Sequence, residues 1–245
     1  MEHEHKLLTA RLTRSVLLSE KTKHLEFVVE ELDTFEFEAG QFVSVREPHG
    51  GKTITRAYSV ASPPRGDDTF DLCLNRVDEG FMSNYLCDLM VGESAHFHGP
   101  HGLFVIKPEV WDMLMICTGT GVAPFRSMLH SLFGLGRDRQ QHHEDRQIWL
   151  FYGTRYPEDV YYQAEFEQIA AGHPNFHYVA TLSRAPESWK GERGYVQEHI
   201  RKLVGARRDM HAYICGLKEM VASVRSLLIN ECGWEKKKVI YERYD

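Results

Sequence analysis

From Met113 onward, strand-sized apolar runs alternate with helix-spaced segments, and this rhythm leaves the second half of the chain very few folds. Residues 113–117, 147–152, 176–182, 211–215 and 238–241 read as strands. Residues 124–135, 161–171, 195–202 and 218–231 read as the helices between them. A helix after each strand returns the chain to the starting edge, so the strands run parallel and the helices cover both faces. The expectation is a doubly wound α/β parallel sheet.

The first half has a different rhythm. Residues 7–18, 24–29, 42–46, 53–60 and 70–77 are rich in β-branched and apolar side chains, and Pro48-His49-Gly50-Gly51 and the segment 62–68 punctuate them. Short strands with Gly/Pro turns suggest an antiparallel barrel or sandwich, interrupted by one helix at 82–90. The rhythm changes at Lys107-Pro108-Glu109, so the expected domains are 1–108 and 109–245. Residues 134–146 are polar and read as a solvated loop.

A chain of 245 residues accommodates two such domains. No apolar run reaches the ~18–20 residues of a membrane span, and the start lacks a signal-peptide core. The net charge of −6 disfavours a general nucleic-acid binder. We therefore expect a cytoplasmic monomer without membrane or nucleic-acid partners. Cys73, Cys87, Cys117, Cys215 and Cys232 show neither CxxC nor CxxxxCxxC spacing, which argues against a cluster or a structural zinc. His3, His5, His142 and His143 lie in polar segments and read as solvated; no metal site is expected.

The 113–117 run leads into Thr118-Gly119-Thr120-Gly121-Val122-Ala123-Pro124. A glycine turn between strand and helix presents backbone N–H groups and the positive helix end to a diphosphate, and a missing Cβ lets the phosphate approach. Pro124 suits a first helical turn but takes the place of the third glycine of GxGxxG, so a plain tight turn stays open. Arg155, Ser183, Arg184 and Arg193 fall near neighbouring strand ends. Singly, each arginine reads as a solvated surface group. Together they suit a 2′-phosphate, which takes charge-assisted, bidentate donors, and so favour NADP(H) over NAD(H).

In the first half, Arg56 and Tyr58 share one face of a strand in Arg56-Ala57-Tyr58-Ser59. A guanidinium beside an aromatic plane suits a molecule with phosphates next to a flat ring; a core tyrosine with a surface arginine is the alternative. Gly80-Phe81-Met82-Ser83 opens the predicted helix, where Ser83 and the nearby N–H groups suit a diphosphate or serve as an ordinary cap.

With RAYS (56–59), GFMSNYL (80–86), GPHG (99–102), TGTGVAPFR (118–126), SR and GERGY (183–195), YICGLKEM (213–220) and YERY (241–244) in this order, the sequence resembles the ferredoxin–NADP⁺ reductase family over nearly its whole length. The resemblance implies an N-terminal antiparallel β-barrel that binds FAD and a C-terminal NADP-binding α/β domain. It implies that Arg56 meets the FAD diphosphate, Tyr58 packs on the isoalloxazine, Ser59 hydrogen-bonds near its N5, and Ser83 contacts the diphosphate. Ala57, Leu74, Asn75, Gly80 and Met82 complete the implied FAD contacts. On the nucleotide side it implies Thr118, Gly119, Gly121, Pro124, Cys215 and Gly216 around the nicotinamide and diphosphate. Arg155, Ser183, Arg184, Arg193 and Tyr195 are implied around the 2′-phosphate. Glu242 matches a carboxylate associated with proton supply, and Tyr244 a tyrosine that covers the flavin. Asp245 follows Tyr244, so a frayed end is the alternative to stacking.

The implied activity is hydride transfer between NADPH and flavin N5, then exchange of single electrons with a separate ferredoxin, flavodoxin or other carrier. Ser59, Cys215, Glu242 and Tyr244 are the implied catalytic group, with Cys215 a small wall rather than a nucleophile. Two alternatives are a reductase component of an oxygenase system or a flavin reductase, and a non-catalytic nucleotide-binding redox sensor.

Overall fold

The computed structural model describes residues 6–109, 111–134, 146–204 and 207–244. Most of the polar segment expected at 134–146, together with His3, His5, His142, His143 and Asp245, lies outside the described residues. The chain forms two compact units, one from Met1–Ile106 with Ala123–Arg139, the other from Lys107–Val122 with Gln140–Asp245.

The first unit holds β1 (Leu8–Ser19), β2 (Thr22–Val29), β3 (Phe42–His49), β4 (Lys52–Ser59), β5 (Thr69–Asn75) and β6 (Ser94–His101), with α1 (Phe81–Asp88) before β6. The sheet order is β4-β3-β6-β1-β2-β5, and each pairing is antiparallel. A bridge between Val60 and Leu72 joins the two outer strands, and Ala61 N–H donates to Asp71 O at 2.8 Å. The sheet therefore closes on itself as a barrel, which removes its open edges. Leu25, Phe27 and Val29 alternate inward on β2, as do Phe70, Leu72 and Leu74 on β5, all at 2% exposure or less. Each such side chain contributes roughly 1.5–3 kcal/mol by burial. β6 is not evident from the sequence because only Ala95 and Phe97 of Ser94-Ala95-His96-Phe97-His98 point inward, and the histidines flanking Phe97 mask the alternation.

The second unit is a parallel sheet of β7 (Asp112–Thr118), β8 (Ile148–Thr154), β9 (Phe176–Leu182), β10 (Glu192–Arg193), β11 (Met210–Leu217) and β12 (Val239–Tyr244), in the order β10-β9-β8-β7-β11-β12. Its helices are α3 (Gln163–Gly172), α4 (Val196–Val204) and α5 (Lys218–Ser226); α2 (Ala123–Leu132) is grouped with the first unit. Val196, Ile200 and Val204 recur every fourth residue and bury one stripe of α4 with Met220, Val221 and Val224 of α5 against Leu114, Ile116 and Ile214. On the other face, Phe166 of α3 packs on Tyr178, with ring centroids 5.4 Å apart. The sheet is thus doubly wound. The helix expected over 218–231 is split: after Ser226 the chain widens into a π turn, Leu227–Glu231, which buries Leu227 and Leu228 together.

Strand order reverses at β7. The chain steps outward through β8, β9 and β10, then returns to β7's other side for β11 and β12. Between β7 and β11 the connections leave in opposite directions, which makes the C-terminal ends of these two strands the topological switch point, where open parallel sheets place their ligands. No helix among the described residues is long and apolar enough to cross a membrane, and no group of three or more potential metal ligands occurs among them.

Candidate functional site

In the barrel unit, β4 pairs with β3 in the register Val45↔Arg56, Val43↔Tyr58 and Phe42↔Ser59. Arg56 is exposed, and its Nη1 donates to Thr55 O at 2.8 Å. Tyr58, two residues on along the same face, is half-buried against the edge of the core, and burial raises its phenol well above the usual range. Ala57 is exposed and Ser59 buried at 4%. Asn75 closes β5 and accepts a short hydrogen bond from Thr22 Oγ1. Leu74 and Met82 have their side chains in the core, so only their main chains can serve a ligand.

Ser83 behaves differently from its expectation. Its hydroxyl donates to Gly80 O and accepts Val77 N–H, both at 3.1 Å, while Asn84 Nδ2 donates to Val77 O at 3.0 Å and Gly80 O at 2.8 Å. These side chains staple the 77–80 turn. What remains for an anion is the first-turn amides of α1, which have no carbonyl behind them. An exposed cation, a half-buried ring on the same strand face and a helix start fit a ligand with a flat ring and a diphosphate.

In the parallel unit, Thr118 ends β7 and a 3₁₀ turn, Gly119–Val122, precedes α2. The two glycines are needed for different reasons. Gly119 has φ +54 and open space where a Cβ would stand. At Gly121 a Cβ would lie 2.4 Å from Cys215 O and 2.8 Å from Gly216 Cα, and at Gly216 (φ +144) it would lie 2.4 Å from Thr118 Oγ1. The glycines therefore let the ends of β7 and β11 touch, besides admitting a phosphate. Pro124 is buried in the first turn of α2.

Thr118 Oγ1 is buried with no hydrogen-bond partner. An orphaned hydroxyl beside a cradle that any Cβ would fill fits a dinucleotide at the switch point. Tyr152 of β8 braces the turn: its hydroxyl lies 3.1 Å from the carbonyl oxygens of Gly119 and Asp159 and accepts Tyr161 N–H at 3.3 Å. The sequence reading missed this tyrosine, since a fully buried phenol on a central strand looks like core.

Cys215 pairs with Cys117 on β7 and Glu242 on β12. Complete burial holds both thiols well above their ordinary range, and the Cys215 side chain shares a hydrogen bond with Tyr244. Tyr244 sits half-buried at the end of β12, paired with Leu217, rather than on a frayed terminus. A protonated, enclosed thiol suits a wall and not a nucleophile. A thiol reagent at about pH 8 should label native protein at half-buried Cys232 and spare Cys73, Cys87, Cys117 and Cys215 until the protein is denatured. Prompt labelling of Cys215 would contradict this.

Beyond β8 and β9 the ladder continues, with Ser183 N–H donating to Thr154 O at 3.0 Å and Arg184 N–H to Arg155 O at 3.1 Å. Arg155 and Arg184 thus stand side by side and exposed; Tyr195 is 66% exposed. Arg193 is committed elsewhere. Its guanidinium donates to the carbonyls of Ala185, Pro186, Glu187 and Trp189 at 2.8–3.3 Å, fixing that loop and leaving few donors for a phosphate.

Two family models match this chain: the oxidoreductase FAD-binding domain over residues 9–106 and the oxidoreductase NAD-binding domain over 115–226. The chain is 42% identical over 243 residues to ferredoxin–NADP reductase B of Sorangium cellulosum (strain So ce56), covering 96% of this chain and 97% of that protein. It is 32% identical over 213 residues to the phenol 2-monooxygenase reductase component DmpP of Pseudomonas sp. (strain CF600), spanning 85% of this chain but only 58% of that protein. Among solved structures, the Amycolatopsis cytochrome P450 reductase GcoB superposes with a TM-score of 0.84 at 26% identity, over 98% of this chain and 70% of that one.

Proposed function

Because the chain belongs to the ferredoxin–NADP⁺ reductase family, whose members are FAD- and NAD(P)-binding oxidoreductases, we propose that it moves electrons between NADPH and a separate one-electron carrier of the ferredoxin or flavodoxin type. Residues 1–108 form the FAD domain in this reading, and residues 109–245 the nucleotide domain. The observation that carries it is the nucleotide end of the parallel sheet. There the orphaned Thr118 hydroxyl stands in a glycine cradle, and Arg155 and Arg184 cap the neighbouring strands.

FAD, when bound, supplies the conversion between hydride exchange with the nicotinamide and one-electron exchange with the carrier. This chain's residues bind and orient. Arg56 and the α1 amides hold the FAD diphosphate, and Tyr58 walls the ring. Ser59 hydrogen-bonds the ring edge. Thr118 donates to the nicotinamide side, and Cys215 with Gly216 shapes its wall. Tyr244 covers the ring, and Glu242 holds or returns the accompanying proton. Ser183, Arg184, Arg155 and Tyr195 bind the adenosine end. With no cysteine pair at cluster spacing, the electrons leave to another protein. The similarity to a phenol monooxygenase reductase component favours a second reading, in which that recipient is an oxygenase.

Anaerobic addition of NADPH should bleach the flavin of the purified protein faster than NADH does. Protein that neither binds FAD nor bleaches would overturn the enzyme reading. Arg184→Ala should raise the KM for NADPH about 10- to 100-fold, the range of a lost charge-assisted contact, with NADH little changed. Equal losses for both would contradict the 2′-phosphate role.

A further inference from the structure

We propose that Tyr156 is a positioning residue that holds Arg184 ready for a 2′-phosphate and thereby sharpens the preference for the phosphorylated dinucleotide. The inference rests on the NADP(H) reading above and extends it to a residue outside the family motifs quoted for this chain.

Tyr156 leaves β8 in extended conformation, with φ −131 and ψ 160, directly before Pro157. Proline disfavours the helical region for the residue ahead of it, so the sequence itself keeps Tyr156 extended. Its carbonyl accepts from Thr154 Oγ1 at 3.1 Å and from Asp159 N–H at 3.2 Å, which pins the backbone on both sides. Arg184 is pinned in turn, because its N–H donates to Arg155 O. Two fixed backbones therefore present the two side chains to each other. Arg184 Nη1 donates to the Tyr156 hydroxyl at 3.1 Å, and the guanidinium carbon lies 6.0 Å from the ring centroid.

The chemistry of the partner matters. Arg65, Arg76 and Arg207 are each held by a carboxylate, which fixes the side chain but cancels its charge. Arg193 is used up by loop carbonyls. Arg184 has no carboxylate partner among the described residues and is held by a neutral phenol. That contact removes rotamer freedom the arginine would otherwise lose on binding. It leaves the full positive charge and the outer donors for an arriving dianion. A 5′-phosphate without the 2′ group makes no use of this arrangement.

The test is calorimetric titration of the FAD-loaded protein with 2′,5′-ADP and with 5′-AMP, which differ only in the 2′-phosphate. The proteins are wild type, Tyr156→Phe, Arg184→Ala and the double variant. Tyr156 is 38% exposed, so removing its hydroxyl opens no buried gap. Tyr156→Phe should weaken 2′,5′-ADP about five-fold, the scale of one hydrogen bond, and leave 5′-AMP unchanged. In the Arg184→Ala background it should cost nothing further. Unchanged binding of 2′,5′-ADP by Tyr156→Phe, equal weakening of both probes, or the same loss without Arg184 would each overturn the proposal while the NADP(H) reading stands. If Arg184→Ala itself left 2′,5′-ADP binding intact, the NADP(H) reading would fall and the proposal with it.

Discussion

Gly121→Ala is expected to lower the melting temperature by about 5–10 °C and to weaken NADP⁺ binding at least about ten-fold. The new methyl group would stand 2.4 Å from Cys215 O and 2.8 Å from Gly216 Cα, both main-chain atoms that no rotamer change can move. Relief requires the ends of β7 and β11 to separate, and overpacking of this kind costs about 1–3 kcal/mol or more. For a chain of this size each kcal/mol is roughly 2–4 °C. The separation also spreads the cradle that surrounds Thr118 Oγ1, so binding suffers alongside stability. Gly119→Ala is the control: its Cβ meets nothing within 4 Å, and only the φ of +54 counts against it, about 1–2 kcal/mol. Calorimetric melting and NADP⁺ titration of both variants check the ranking; equal damage from the two would refute the account.

Asp71→Ala should be comparably severe in the barrel. This carboxylate is 1% exposed and takes a bidentate pair from Arg65, Nη1 to Oδ1 at 2.9 Å and Nη2 to Oδ2 at 2.7 Å. Arg126 Nη1 lies 3.4 Å and His24 Nε2 3.6 Å from its Oδ2. Removing the acid strips half-buried Arg65 and more deeply buried Arg126 of their carboxylate, and with water able to reach Arg65 the loss falls at the low end of that for a broken buried pair, about 3 kcal/mol. The melting temperature should fall by roughly 10 °C. Asp71→Asn keeps an acceptor and should fall between the two. A melting temperature for Asp71→Ala within about 3 °C of wild type would contradict the role given to this cluster.

The two rhythms of the sequence carried most of the fold, because burial imposes period 2 on a barrel wall and helix-separated apolar runs on a parallel sheet. Gly119 and Gly121 stood out because a strand-to-helix turn that tight tolerates few residue types, whereas Cys215 and Gly216 came only with the family resemblance. Contacts made by loops were not. Nothing in the spacing of Ser83 reveals that its hydroxyl is spent on Val77 and Gly80. Arg193 looks like Arg184 in the sequence, yet one closes a loop and the other faces outward. β6 was hidden by outward histidines, and Tyr152 and Tyr156 by their resemblance to ordinary strand tyrosines. Such assignments depend on where a side chain's donors end up, which is settled by neighbours far along the chain.

Arg193 ties the loop from Ala185 to Trp189 to the residues immediately after it, and Trp189 Nε1 returns to Glu192 O at 2.9 Å. These particular bonds all begin and end within a short stretch of chain. The loop between Ala185 and Trp189 is in this sense self-contained, while Ser183 and Arg184 before it and Glu192 and Arg193 after it are tied to the sheet. On the function proposed above, an exchange of coenzyme preference would have to change this outer turn together with Arg155 and Tyr156, the residues of the β8 exit to which Arg184 is tied.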